Sequence, residues 1–372
     1  MRKRVAIICG GKSGEHEVSL RSAFYVYNNI DKNKYQPLVL AISKKGKWFF
    51  SRRFEDLVDT RGLLWRLKPQ LEEIVLLKDK NYSQIFSLKK KKKLAKVDIF
   101  FPLIHGTFGE DGCLQGFLEI LGVPYVGADV LGSAIGMNKE VTKKLLSIEK
   151  IPVTKFVVID KKDSLKEKKE KIKAVVRQFH FPLFIKPVSL GSSVGVFKVF
   201  SRKEIKKAIE DAFQYDTKIM IEKFVKGREI ECSVLGNDAP QASLPGEIKS
   251  LSFYSYKAKY LDPNGNEAKL LVPAPLNKKL VAKIQELSIK VFKTLNLRGM
   301  ARIDFFLKPN GQLVVNEANT IPGFTQISMY PKLWEISGLK YPQLLDNLIQ
   351  LAIESHQEKS KLRFSYQDSY NN

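Results

Sequence analysis

Two acidic residues, Asp304 and Glu317, flank the segment Pro309-Asn310-Gly311, and each lies beside apolar residues. Asn-Gly between two apolar runs predicts a β-hairpin with a two-residue loop. If Asn310 and Gly311 form that loop, residue 309 pairs with 312 and Asp304 pairs with Glu317. Paired side chains point to the same face, with Cβ atoms about 5 Å apart. Two carboxylates so close repel each other unless a cation lies between them, so the spacing predicts a metal site.

Asn319 continues the same face of this hairpin, and Arg302 lies opposite it. Two carboxylates and an amide oxygen are hard ligands suited to Mg²⁺ that also binds substrate phosphates. The alternative is a surface hairpin with exposed acids. The largely apolar runs 300–306 and 313–316 read as buried strands and favour the metal site.

A second candidate site is the segment from Lys186 to Gly195, where a predicted strand leads into a loop containing three Ser and two Gly. Glycine lets the backbone approach phosphate oxygens, serine adds hydroxyl donors, and lysine supplies positive charge. The segment predicts a strand–loop–strand phosphate cradle that also covers a bound triphosphate. A plain hairpin is the alternative, and the metal site predicted downstream favours the cradle.

Three further loops carry polar groups at predicted strand ends. Glu15 follows a glycine turn, where it can bind a cationic ligand or simply favour a helix N-terminus. His105 shares a loop with Glu110 and Asp111, as a proton-transfer group or as a structural hydrogen-bonding partner. The Pro-Gly turn within residues 320–325 offers backbone amides to an oxyanion.

The chain has 372 residues, enough for two or three domains. Its hydrophobic content of 44% and charged content of 27% are typical of soluble globular proteins. No run reaches the ~18 apolar residues of a membrane span, and residues 5–9 read as a first strand rather than a signal peptide. Three cysteines without ligand spacing indicate reduced thiols. We therefore expect a cytoplasmic protein without membrane insertion.

The formal net charge of +24 raises the question of nucleic-acid or membrane-surface binding. The lysines are spread along the chain, with clusters at 89–93 and 161–173. No nucleic-acid-binding motif or aromatic interleaving accompanies them. Solvated faces explain the charge better, so no nucleic-acid partner is expected.

The predicted elements fall into three domains. Residues 1–127 alternate strands and helices with glycine turns at strand ends, which predicts an open parallel α/β sheet with a ligand crevice. Residues 128–222 form a small central α+β domain. Residues 223–372 form a larger domain with a mainly antiparallel sheet that contains the hairpin.

Six motifs, in order along the chain, together resemble the D-alanine–D-alanine ligase family of the ATP-grasp superfamily over about residues 3–353. They are Gly10-Gly11-Lys12-Ser13-Gly14-Glu15-His16-Glu17-Val18-Ser19, His105-Gly106-Thr107-Phe108-Gly109-Glu110-Asp111-Gly112, Met137-Asn138-Lys139, Lys186 to Gly195, Arg302-Ile303-Asp304 and Glu317-Ala318-Asn319-Thr320-Ile321-Pro322-Gly323. Asn138 stands where many relatives have Asp. The resemblance implies that residues 128–372 form a two-part ATP-grasp fold.

The resemblance also implies a reaction. The carboxylate of one D-alanine would attack the γ-phosphate of ATP to give an acyl phosphate, which the amine of a second D-alanine would then attack. The partners implied are ATP and two D-alanine molecules, the cofactor is Mg²⁺ (with Mn²⁺ also usable) as two ions, and the assembly is a homodimer. The product would serve peptidoglycan synthesis.

Residue roles follow from the resemblance by motif position. Asp304, Glu317 and Asn319 would hold the metal ions. The ATP site would comprise Lys139, Lys186 and Lys259 at the phosphates, Glu222, Lys223 and Val225 at the adenine, and Glu229 at the ribose. Amino-acid binding and catalysis would involve Glu15 at the first ammonium, Ser192 and Tyr260 in its hydrogen-bond network, His105 near the first substrate, Arg302 and Gly323 at the oxyanion, and Ser328 with Met329 at the second carboxylate.

Three alternatives stay open. A ligase joining D-alanine to D-lactate or D-serine would share most motifs, although Tyr260 matches a family position that is Tyr in dipeptide-forming members. Another ATP-grasp carboxylate–amine ligase, or a carboxylase subunit, is disfavoured by the Glu15 and His105 motifs. Tyr260 also has a simpler interpretation as an aromatic side chain that packs beneath a loop.

Overall fold

The computed structural model describes residues 2–62, 64–250 and 268–363. The N-terminal part is built on a four-stranded sheet with the order β3-β2-β1-β9. Strand β1 pairs in parallel with both β2 and β9, while β3 is an antiparallel edge strand. These strands are β1 Lys3–Gly10, β2 Tyr35–Ile42, β3 Trp48–Ser51 and β9 Ile99–Pro102. The predicted open parallel sheet is confirmed, with one antiparallel edge.

Strand β1 is central because residues 5–9 are apolar and fully buried on both faces, as expected of a parallel strand covered by helices. Gly10 ends it with a φ of +86°, and a Cβ there would lie 2.3 Å from the carbonyl oxygen of Ile42. Only glycine fits this position. The chain then turns into the helix His16–Asn29, and the loop between them lies at the carboxyl end of the sheet.

Small elements complete the N-terminal part. A three-stranded antiparallel sheet, which the sequence did not predict, contains β6 Ile74–Lys78, β7 Ser83–Ser87 and β8 Lys92–Val97. Asp98 separates β8 from β9 and accepts hydrogen bonds from both the backbone and the guanidinium of Arg4. The remaining elements are helices Phe54–Leu57 and Cys113–Leu121 and strands β4 Val58–Asp59 and β5 Arg66–Leu67.

The central part is an antiparallel sheet with the order β10-β13-β11-β12. Its strands are β10 Phe156–Asp160, β11 Leu183–Pro187, β12 Phe197–Val199 and β13 Lys218–Lys223. Helices in this part are Val130–Met137, Lys139–Ile148, Leu165–Gln178 and Arg202–Ala212. The lysine cluster 161–173 lies mainly on the helix Leu165–Gln178, where Val175 is the buried residue, so these charges face solvent.

Within the described residues, the C-terminal part forms a six-stranded sheet with the main order β17-β16-β14-β18-β19 and β15 paired to β14. Its strands are β14 Arg228–Gly236, β15 Gln241–Ala242, β16 Gly246–Ser250, β17 Ala268–Leu271, β18 Gly299–Leu307 and β19 Leu313–Asn319. All its pairings are antiparallel. The helices are Lys278–Thr294, Met329–Ile336 and Tyr341–Ser360. Among the described residues, no helix is both long and apolar enough to cross a membrane.

The hairpin β18–β19 pairs Asp304 with Glu317 as predicted, but its turn and its strand register both differ from the prediction. The turn is one residue longer than predicted, because the Lys308 N–H donates to the Gln312 carbonyl and Leu307 pairs with Leu313. A register shift after Asp304 leaves Asn316 as an extra residue in β19 and restores the predicted pairing. The two departures cancel.

Val315 and Asn316, at this bulge, both have partners outside the hairpin. The Val315 N–H donates to the Pro152 carbonyl at 2.8 Å, and the Lys143 ammonium donates to the Asn316 carbonyl at 3.1 Å. A bulge leaves backbone groups unpaired within the ladder. Contacts from the central part therefore stabilise the register that places the acids.

Candidate active site

Three carboxylates stand in a row across neighbouring strands of the C-terminal sheet. Glu231 on β14 pairs with Asp304 on β18, which pairs in turn with Glu317 on β19. Directly opposite residues share a face of the sheet, so all three point to the same side. The alternation of Glu229 and Glu231 with the buried Ile230 and Cys232 is the sequence signal that identifies Glu231, which we had not predicted.

Arg302 neutralises part of this row. Its guanidinium donates two hydrogen bonds of 2.8 Å to Asp304 and lies 3.0 Å from the Glu231 carboxylate. Burial opposes its charge, but Asp304 and Glu231 outweigh that effect and raise the pKa of Arg302 well above its ordinary value. The Asn319 amide also donates to Asp304, at 3.0 Å.

These oxygen donors suit a divalent cation whose coordination is completed by ligands from outside the protein. Asp304, Glu317 and Asn319 lie together at the predicted positions, and their hard oxygen donors match Mg²⁺. Within the described residues, no three His, Cys, Asp or Glu side chains are grouped so that they could hold a metal alone. Mg²⁺ commonly binds through one or two carboxylates together with substrate phosphates, so the residues fit an ion that arrives with a nucleotide.

Lys139 links this row to the Gly/Ser loop. Its ammonium lies 3.5 Å from the Glu317 carboxylate and donates to the Leu190 carbonyl at 2.5 Å. The side chain is buried, and burial lowers its pKa. One cation thus contacts both predicted phosphate-binding segments.

Glu222 is the centre of a buried ionic cluster. Its two carboxylate oxygens lie 2.9 Å from Lys143 and 2.6 Å from Lys186, and it accepts a hydrogen bond from Thr154. Burial raises the pKa of Glu222, but the two lysines outweigh burial and hold it at about 2. Lys143 also donates to Thr154 at 2.7 Å and, as noted, to Asn316. The cluster therefore connects the central sheet to the bulge of the hairpin.

A cavity of about 400 Å³ lies between the central and C-terminal sheets. Many of its lining residues are those predicted for ATP and metal. They are Lys139, Lys186, Glu222, Lys223, Val225, Glu229, Asp304 and Glu317. A cleft that joins apolar walls to convergent charged groups is typical of a small-molecule site. Gly191 and Ser193 of the Gly/Ser loop also line it.

The N-terminal loops place a carboxylate beside the Gly/Ser loop. Glu15 is 7% exposed, and its carboxylate lies where a Cβ at Gly106 would be 3.1 Å away and one at Gly191 3.9 Å away. Ser13 accepts from the Glu15 N–H and donates to the His105 carbonyl at 2.6 Å. Through these two hydrogen bonds, Ser13 ties the Glu15 backbone to the loop that contains His105.

His105 is fully enclosed. Its Nδ1 lies 2.9 Å from the Ile321 carbonyl and its Nε2 lies 3.0 Å from the Ser22 hydroxyl. Burial lowers the pKa of His105, which favours the neutral ring. A neutral ring with its proton on Nδ1 donates to Ile321 and accepts from Ser22, so both nitrogens have partners in the described structure.

The turn after β19 carries the remaining predicted residues. A Cβ at Gly323 would lie 2.7 Å from the Ser328 hydroxyl oxygen, so a larger residue would displace Ser328. That hydroxyl accepts from the Thr325 N–H at 3.0 Å. Met329 is buried and begins the helix Met329–Ile336, whose N-terminal amides can attract a carboxylate.

Comparison with known proteins agrees with this geometry. A family model described as D-ala D-ala ligase N-terminus matches residues 4–128, and one described as D-ala D-ala ligase C-terminus matches residues 145–350. The D-alanine–D-alanine ligase of Oceanobacillus iheyensis is 45% identical over 377 residues, covering 99% of this chain and 100% of that relative. D-alanine–D-alanine ligase A of Escherichia coli is 43% identical over 362 residues, covering 97% and 98%.

The chain belongs to the D-alanine–D-alanine ligase family. A solved D-alanine–D-alanine ligase from Coxiella burnetii matches with a TM-score of 0.81 at 39% identity, covering 97% of this chain and 98% of that one. A D-Ala:D-Ser ligase from Enterococcus faecalis matches with a TM-score of 0.81 at 35% identity, covering 95% and 100%. The resemblance and the fold class predicted from the sequence are confirmed.

Several side chains of this ligase-family site were missed from the sequence. Lys143 has the helical spacing of four residues from Lys139 that puts both on one face, which was its available signal. Glu110 and Ser22 hold the turn after β19, and nothing in their local sequence indicates so distant a partner. Lys259 and Tyr260 lie outside the described residues, so their predicted roles stay predictions.

Proposed function

We propose that this protein joins two D-alanine molecules into D-alanyl-D-alanine, with ATP converted to ADP and phosphate, for peptidoglycan synthesis. One observation carries the proposal: Lys139, Lys186, Asp304 and Glu317 converge on one cavity whose Gly/Ser loop also borders Glu15. Phosphate-binding charges and an ammonium-binding carboxylate thereby face the same reaction space. Membership of the ligase family supports the same assignment.

On the nucleotide side, Glu222, Lys223 and Val225 would line the adenine site and Glu229 the ribose site. Lys139, Lys186 and Lys259 would neutralise phosphate charge. Asp304, Glu317 and Asn319 would hold two Mg²⁺ ions, or Mn²⁺, which offset the charge that develops on the phosphates when bound. Positioning and charge neutralisation dominate phosphoryl transfer. Lys186 now pairs with Glu222 and Lys139 with Glu317, so both ammonium groups would exchange these partners for phosphate oxygens.

On the amino-acid side, Glu15 would bind the ammonium of the first D-alanine, within a network completed by Ser192 and Tyr260 and close to His105. Arg302 and the Gly323 amide would stabilise the oxyanion formed when the second amine attacks the acyl phosphate. Ser328 and Met329 would bind the second carboxylate at the helix N-terminus. The loop 189–195 would cover the acyl phosphate and exclude water.

The identity of the second substrate is the most specific part of the proposal. The D-Ala:D-Ser ligase from Enterococcus faecalis shares this fold, so the fold alone does not select the dipeptide. We assign D-alanine because Tyr260 has the residue type expected of dipeptide-forming members. A tyrosine hydroxyl adds no cation beside the amine that must lose its proton before attack.

The test is phosphate release from ATP with D-alanine alone and with D-lactate or D-serine added, at pH 7.5, with the products identified by mass. We expect D-alanyl-D-alanine as the main product in all three mixtures. A Glu317→Gln variant purified in parallel controls for contaminating ligases. Equal use of D-lactate and D-alanine would contradict the second-substrate assignment, and phosphate release without D-alanine would contradict the ligase assignment.

We further propose a cytoplasmic homodimer of three-domain chains, divided at residues 127 and 222, with no nucleic-acid partner. The exposed lysines of the helix Leu165–Gln178 and of the turn at 88–91 support solvated faces as the origin of the charge. Sedimentation equilibrium would test the dimer. A steep salt dependence of low-nanomolar RNA binding would contradict the absence of a nucleic-acid partner.

A further inference from the structure

Glu110 connects two loops that are distant in sequence. One carboxylate oxygen accepts the Gly106 N–H at 2.6 Å, and the other accepts the Ile321 N–H at 2.9 Å. Gly106 lies against Glu15, and Ile321 lies two residues before Gly323. One side chain therefore joins the loop that borders the first-substrate carboxylate to the turn that carries the proposed oxyanion donor.

Two neighbouring side chains hold the same turn. His105 binds the Ile321 carbonyl, and the Ser22 hydroxyl accepts the Phe324 N–H at 3.2 Å. Ile321 is thus held through both its N–H and its carbonyl, and Phe324 through its N–H. Gly323 lies between these fixed points. Three side chains from the N-terminal part of the chain thus hold the backbone on both sides of Gly323.

We propose that Glu110 is a positioning residue, which aligns the Gly323 amide with the oxyanion of the second chemical step. This inference rests on the proposed function and extends it to a residue with no role assigned so far. Preorganised donors contribute to catalysis through their fixed direction. A displacement of about 1 Å at such a donor can lower the rate about 10²-fold.

The carboxylate form suits this role best, since both of its oxygens accept and neither donates. The charged groups facing Glu110 are Glu15 and Arg302, beside the neutral His105. Burial and the charge of Glu15 raise the pKa of Glu110 to about 8, while the two N–H donors and Arg302 oppose the rise. An ammonium paired with Glu15 would weaken that repulsion and so favour the carboxylate form of Glu110.

The two chemical steps separate this role from a merely structural one. The oxyanion forms when the second amine attacks the acyl phosphate, whereas phosphoryl transfer to the first D-alanine comes before it. Hydroxylamine traps the acyl phosphate as a hydroxamate, so the ratio of hydroxamate to dipeptide reports which step is slowed. A misaligned Gly323 amide raises that ratio, while general loss of folded enzyme leaves it unchanged.

The test variant is Glu110→Gln, which keeps the shape but replaces one of the two acceptor oxygens with an amide donor. We expect kcat for dipeptide formation to fall about 10²-fold, a KM for ATP within about twofold of the parent, and a raised hydroxamate-to-dipeptide ratio. The matched control is Asp111→Asn, because among the described residues its carboxylate accepts from Phe108 and Cys113, inside its own loop. That control should keep the parental ratio.

Ser22→Ala provides an independent second variant, in case Glu110→Gln does not fold. It removes the acceptor of the Phe324 N–H at the other end of the turn, so the same rise in the ratio is expected at smaller size. A parental ratio in folded Glu110→Gln or Ser22→Ala overturns the positioning role. Failure of the unmodified protein to form any dipeptide overturns the proposed function instead.

Discussion

The hairpin β18–β19 and the Gly/Ser loop 189–195 both face the cavity, yet they are held in opposite ways. In the hairpin, Asp304 has ladder neighbours on both sides and a two-pronged contact with Arg302. In the loop, Ser192 and Ser193 have φ values of +52° and +58°, a region that costs non-glycine residues about 1 kcal/mol or more. The loop is anchored at Ser189 by Asp216 and at Leu190 by Lys139.

This difference separates two requirements of phosphoryl transfer. The metal-binding charges must not move, because their attraction depends on fixed distances. The cover must move, because the nucleotide has to enter and leave. Changes in the hairpin should therefore lower the rate of chemistry, whereas changes in the loop should alter access and protection.

The largest effect is expected from Glu317→Gln. The substitution removes one charge from the proposed metal site without changing its shape, so we expect kcat to fall at least about 10²-fold. Stability should fall far less than turnover, because Glu317 is partly exposed, its pair with Lys139 is long at 3.5 Å, and Lys139 keeps its bond to the Leu190 carbonyl. The measurements are turnover at saturating Mg²⁺ and urea denaturation.

The exposed Glu335 on the helix Met329–Ile336 provides the matched control. Glu335→Gln should keep both turnover and stability. Near-normal turnover of Glu317→Gln at saturating Mg²⁺ would show that the hairpin does not bind the metal. The contrast between a fixed hairpin and a moving loop would then lose its basis.

The second-largest effect is expected at Lys143, whose ammonium donates to the Asn316 carbonyl at the hairpin bulge. Lys143→Met removes one of the two lysines paired with the buried carboxylate of Glu222 and leaves the Asn316 carbonyl without its ammonium donor. Loss of one partner from a buried ionic cluster should lower the free energy of unfolding by about 3 kcal/mol. Chemical denaturation measures this loss, and the Mg²⁺ concentration for half-maximal activity should rise because the bulge sets the register of Glu317.

Lys144→Met is the control, since Lys144 pairs on the surface with Glu140 four residues earlier. Such a helical pair contributes about 0.5 kcal/mol or less. Equal denaturation midpoints for the two variants would show that Lys143 contributes no more than a surface charge, and the link from cluster to hairpin would fail.

The sequence predicted the hairpin pair correctly because hydrophobic runs and turn residues are local signals. Its turn was predicted one residue too short. In the structure the Lys308 N–H donates to the Gln312 carbonyl, so the turn contains residues 309–311, with Gly311 at a φ of +78°. The compensating bulge depends on Pro152 and Lys143, which are more than a hundred residues away. Patterns of local spacing carry no information about such partners.

The site shows the same division. Residues within short motifs, such as Lys186 and Asp304, were predicted from the sequence, and they line one cavity. Glu110 and Ser22 were given no role, because their contacts with the turn after β19 reach across the fold. Glu231 was overlooked although its alternation with Ile230 and Cys232 is a local signal. His105 was predicted as a substrate neighbour, and its ring proves to contact Ile321 and Ser22, which a lone histidine in a sequence cannot reveal.

The smallest effect is expected from Ser193→Gly in the loop. Glycine removes the cost of a positive φ but adds backbone freedom to the unfolded state, and each contribution is about 1 kcal/mol or less. The global free energy of unfolding should therefore change little. The local effect should be larger, because a loop with more freedom opens more often, and limited proteolysis between residues 189 and 195 should be faster without ligands.

ATP with D-alanine should protect this loop in both the parent and Ser193→Gly, because the bound triphosphate would add contacts to those the loop already has at Ser189 and Leu190. The hairpin offers the comparison: Gly311→Ala, at a φ of +78° with open space around it, should lower the free energy of unfolding by about 1 kcal/mol and leave loop cleavage unchanged. If ligands fail to protect the loop in the parent, the loop is not a cover. If Gly311→Ala accelerates loop cleavage as much as Ser193→Gly does, the loop and hairpin open together, and the division between fixed charges and a moving cover is wrong.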